Sequence, residues 1–75
     1  MPFREVAGIF SNEDLSVMRD AYELACDELG ITLEEGDRGK REQVASLIIQ
    51  FAQGGERNAA VLHRLTVLRV LKIHG

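Results

Sequence analysis

The sequence predicts an all-α fold, a small three-helix bundle with an N-terminal arm or short extra helix, and three observations carry that prediction. Apolar residues recur at intervals of three and four in three separate stretches. Residues that start and stop helices divide those stretches: Ser11 before the first, Gly30 after it, Gly54-Gly55 after the second and Asn58 before the third. No stretch shows the apolar–polar alternation of a half-buried strand.

Residues 1–10 form an arm whose apolar members are Phe3, Val6, Ile9 and Phe10. Their spacing suits either a loose helical turn or an extended segment. Ser11 then stands as an N-cap with Asp14 three residues on, the spacing of a capping box. Phe10 and Leu15 occupy the two positions of a hydrophobic staple. The first helix is expected over about 12–29, where Leu15, Met18, Tyr22, Ala25, Cys26 and Leu29 make one stripe and Gly30 is the left-handed residue that ends it. Residues 31–36 connect. The second helix is expected over about 38–53, with Val44, Leu47, Ile48 and Phe51 on one face. Gly54-Gly55 caps it, and Asn58 caps a third helix over about 59–73.

The third helix is apolar nearly all round. Val61, Leu62, Leu65 and Leu68 form the stripe expected to face the core, which leaves Val67, Val70, Leu71 and Ile73 on the flanks and far side. A single small bundle buries one such stripe. The surplus predicts a homodimer or larger symmetric oligomer through Val67, Val70, Leu71 and Ile73, or else cover by the arm through Phe3, Val6 and Ile9. The expected core is Leu15, Met18, Tyr22, Cys26, Leu29, Val44, Leu47, Ile48, Phe51, Val61, Leu62, Leu65 and Leu68.

Length and composition narrow the function classes. With 75 residues the chain makes a single domain (1–75), short enough that a core of this size seldom supplies more than about 3–5 kcal/mol. One cysteine excludes an intrachain disulfide framework, so oligomerisation is the staple left to it. The lone thiol and the lack of a long apolar N-terminal segment point to the cytoplasm, and no run approaches the ~20 apolar residues of a membrane span. The net charge of −3 disfavours general nucleic-acid affinity, yet it conceals a split. Residues 1–36 carry −7 and residues 37–75 carry +4.

Three constellations offer chemistry. Arg38, Lys40 and Arg41 crowd the first turn of the second helix, where the helix dipole disfavours cations. They make either a contact for an anion or acidic partner, or a set of pairs with Glu34, Glu35 and the acidic first helix. The second and third helices could be read as a helix-turn-helix presenting Asn58, Ala60, His63 and Arg64 to DNA. Against that reading, the outward face of the third helix holds Val67, Val70 and Leu71. Cys26, His63 and His74 fall into no metal or nucleophile spacing, so no metal, no cofactor and no catalytic residue is expected.

The segments Ala21–Ile31, Arg41–Ala45 and Gly55–Asn58 resemble small uncharacterised bacterial α-helical proteins over about residues 11–65. The resemblance implies a helical fold and a bacterial cytoplasmic setting, and brings no site residues. Together these readings anticipate a small non-enzymatic protein-interaction or regulatory module. Its partners would be itself and, beyond that, another protein, with a DNA-binding or anion-binding module as the alternative.

Overall fold

The computed structural model describes residues 9–74, with side chains through Ile73. Among them three helices form an all-α bundle without strands: α1 (Asn12–Leu29), α2 (Arg38–Gln53) and α3 (Ala59–His74), with a 3₁₀ turn (Glu35–Asp37) leading into α2. Each helix packs against the other two. The arm's Phe3 and Val6 lie outside the described residues. Ile9 is exposed, whereas Phe10 is buried beneath the Arg57 guanidinium, 5.1 Å from its ring centroid.

The helix ends follow local chemistry. Ser11 Oγ accepts from the Asp14 amide at 3.1 Å. The Asp14 carboxylate turns away from a reciprocal box and pairs with Arg57 Nε at 3.2 Å, tying the start of α1 to the approach to α3. At the far end Gly30 adopts φ 70°, its N–H donates to Asp27 O and that of Ile31 to Cys26 O, the paired bonds of a Schellman cap. Gly55, at φ 109°, repeats the arrangement for α2, with Gly55 N–H bonded to Ala52 O and Glu56 N–H to Phe51 O. Asn58 Oδ1 accepts from the amides of Ala60 and Val61 and so caps α3.

Side-chain contacts fix the topology. Asp14 meets Arg57 ahead of α3 and Glu28 meets His63 within it, so α1 and α3 advance in the same sense. The short connections turn α2 back between them, giving an up-down-up bundle. The core comprises Phe10, Met18, Ala21, Ala25, Cys26, Val44, Ala45, Leu47, Ile48, Ala52, Leu62, Val67 and Val70. Alanines 21 and 25 sit at the centre of the α1 stripe, and their small side chains let the neighbouring helices close in. Leu15, Tyr22, Leu29 and Phe51 consequently lie at the margins of the core.

The rotation of α3 differs from the sequence expectation. Leu62, Thr66, Val67 and Val70 face inward, Leu65 is half-buried, and Val61 and Leu68 are exposed. At about 100° per residue, the observed inward face lies roughly 130° around the axis from the expected one. A helix apolar on most sides has no unique inward stripe in its sequence, so contacts with α1 and α2 choose the phase.

Candidate functional site

The basic residues at the start of α2 face the connector that precedes them. Arg38 lies between Glu35 (3.5 Å) and Glu42 (3.4 Å), and Lys40 lies 3.7 Å from Asp37. Arg41 reaches back over the connector, donating to the Thr32 carbonyl and, at 2.8 Å, to that of Glu34. Beneath it the Asp37 carboxylate accepts from the Thr32 amide (2.8 Å) and hydroxyl (2.7 Å). Those two bonds hold the Asp37 carboxyl below its usual range, with nearby Lys40 adding a smaller pull. The three bases therefore sit together, each engaged by an acid or a carbonyl of its own chain. Thr32 and Asp37 are the members of this cluster that sequence reasoning missed.

The residues most able to do chemistry are kept apart. Cys26 is buried on α1 and hydrogen-bonded to Tyr22 one turn earlier. Burial pushes the thiol up, outweighing that bond and the nearby Arg41, and burial also raises the Tyr22 phenol. His63 is on α3 with its buried Nε2 atom 2.9 Å from Glu28 Oε1, in an orientation that does not form a hydrogen bond. The His74 side chain lies outside the described residues. Among those residues, no group of three or more His, Cys, Asp or Glu is placed to hold a metal ion. Of the residues considered for reading DNA, Asn58 is spent on its cap, Ala60 and Arg64 are exposed, and His63 is half-buried.

Several exposed apolar side chains gather where α3 meets α1. The expected interface set divides: Val67 and Val70, 4% and 7% exposed, are core residues of their own chain, whereas Leu71 and Ile73 are each 54% exposed. The change of phase that buries the first pair brings out Val61 and Leu68, the latter 58% exposed. Leu68, Leu71 and Val61 therefore share the outer side of α3 with Arg64. Beside them runs an open groove. One section of about 440 Å³ is lined by Glu28 on α1 and by Ala60, His63, Arg64, Val67 and Leu68 on α3. The next, of about 600 Å³, is lined by Asp20, Glu23, Leu24 and Asp27 on α1 and by Ala59.

Leu24 is a member of this surface that sequence reasoning missed. It stands 48% exposed on the rim of the groove, and its signal in the sequence is that it falls off the α1 stripe among acids. Along α1 the charge is −5, and along α3 it is +3 with no acid. Asp20, Glu23, Asp27 and Arg64 make no ion pair among the described residues. The groove thus has an acidic rim on α1 and, on α3, a rim whose one lining base among the described residues is Arg64, each rim carrying a leucine. Comparison with protein-family models, curated proteins and solved structures found no match. No helix among the described residues is long and apolar enough to cross a membrane.

Proposed function

We propose that the protein is a small non-enzymatic interaction module that works as a homo-oligomer, docking through the outer face of α3 beside the groove it forms with α1. The observation that carries this reading is the exposure of Leu68 and Leu71 on a helix whose opposite side already fills the core. Apolar side chains gathered on one face at helical spacing, next to a groove with charged rims, are what docking sites present, and monomers tend not to leave such patches wet. The domain is also small enough that extra burial contributes usefully, at about 25 cal/mol per Å² of apolar area removed from water.

Sedimentation equilibrium tests the reading on the wild type and on Leu68→Glu. The expected result is a wild type heavier than its 8.4 kDa chain at high micromolar concentration, and a Leu68→Glu variant that keeps its helical circular dichroism but sediments as a monomer. Leu68 is exposed in the isolated chain, so its replacement leaves the core intact. A wild type of monomer mass throughout would end the proposal.

A further inference from the structure

Resting on that reading, we infer that the partner on this face is a second copy related by a twofold axis running along the α1–α3 groove, so that α3 of each copy lies over α1 of the other. The charge distribution selects this arrangement. Two copies facing each other across the groove have two simple twofold placements. An axis across the groove lays α1 on α1, bringing together two helices of charge −5, and α3 on α3, bringing together two of +3. An axis along the groove exchanges the rims, and each basic helix meets an acidic one.

The same operation fixes which residues meet. An axis parallel to the groove keeps every residue at its own height along it, so the partners across the contact are those already level with each other within one chain. Glu28 is level with His63, whose Nε2 lies 2.9 Å from its Oε1, and Arg64 is the next residue along α3. Arg64 of one copy is therefore placed at the height of Asp27 and Glu28 of the other. Leu24 is level with Ala59 in the next section. It comes to the start of the other copy's α3, where Ala60 and Val61 are exposed. Arg64 and Asp27 lack ion-pair partners in the single chain among the described residues, so neither gives one up to form this contact.

The test is charge reversal in two separate chains. Arg64→Glu adds an acid near the N-terminal half of α3 and Asp27→Lys adds a base in the last turn of α1, changes that the helix dipoles tolerate or favour, so both chains are expected to fold. Each variant alone sets like charges opposite one another twice per dimer and is expected to weaken self-association at least tenfold. An equimolar mixture restores both contacts. In one, the introduced glutamate faces the introduced lysine with the signs exchanged, and in the other Arg64 faces Asp27 as in the wild type. The mixture is expected to associate within a fewfold of wild type, as a heterodimer. Native mass spectrometry and sedimentation read this directly. A mixture no better than the single variants, or an Asp27→Lys chain that dimerises like wild type, would overturn this geometry while the wild-type dimer kept the broader reading alive. A monomeric wild type would remove both.

Discussion

Thr66 is a polar residue at the centre of the buried face of α3, fully enclosed, with a hydroxyl that has no hydrogen-bond partner among the described residues. An enclosed hydroxyl without a partner costs about 1–3 kcal/mol, so a methyl group of the same shape improves matters. Thr66→Val is expected to stabilise the fold by about 1 kcal/mol, raising the thermal midpoint by roughly 4–8 °C for a domain of this size. Urea unfolding followed by circular dichroism checks this, and a destabilised variant would show that the hydroxyl does have a partner. The same residue explains why the rotation of α3 was not legible in the sequence. Leu62, Thr66 and Val70 share a face at spacing four, but the threonine interrupts that series. Val61, Leu65 and Leu68 offer an uninterrupted one that reads as the inward stripe. Hydrophobicity alone chooses the wrong side here, and the core list inherits the error at Val61 and Leu68.

At the level of elements, the helix boundaries were legible because they are set by local chemistry. Ser11, Gly30, Gly54-Gly55 and Asn58 each act within a few residues of themselves, and each is found in its expected role. The connector between α1 and α2 was not, since its order comes from Arg41 reaching carbonyls seven and nine residues away and from Asp37 accepting from Thr32. No periodicity encodes such a network. It has a pH signature: the Asp37 carboxyl is held below its usual value in the folded chain, so the unfolded chain takes up that proton more readily. The stabilisation is therefore complete above the ordinary carboxylate range, about pH 4, and is lost as the pH falls through the lower folded value. Thr32→Val removes the hydroxyl donor and leaves the backbone one. Its stability deficit in urea is expected to be present at pH 7 and to shrink on acidification below about pH 4. A deficit independent of pH would show that the bond does not favour the ionised form.

For the whole molecule, the bundle and its layout follow from three amphipathic stretches and two short connections, but the surface left over depends on the phase of one helix. That phase puts Leu68 and Leu71 outside, with Leu68 lining the groove that α3 forms beside the acidic α1. A domain of this length with an exposed apolar face is expected to draw part of its stability from association, and folding linked to association depends on concentration. Above the dissociation constant, each tenfold rise in concentration favours a folded dimer by about 1.4 kcal/mol, which is about 0.7 kcal/mol per chain. For a domain of this size that moves the thermal midpoint up by roughly 3–6 °C. The expected wild-type melting curve therefore shifts upward by that amount between dilute and tenfold more concentrated samples, most clearly at low ionic strength, where the contact between acidic and basic rims is least screened. Leu68→Glu is expected to melt at one temperature throughout the same series, at or below the lowest wild-type value. A wild-type midpoint that stays fixed across two decades of concentration would mean that the bundle stands alone, with the leucines of its groove left to water.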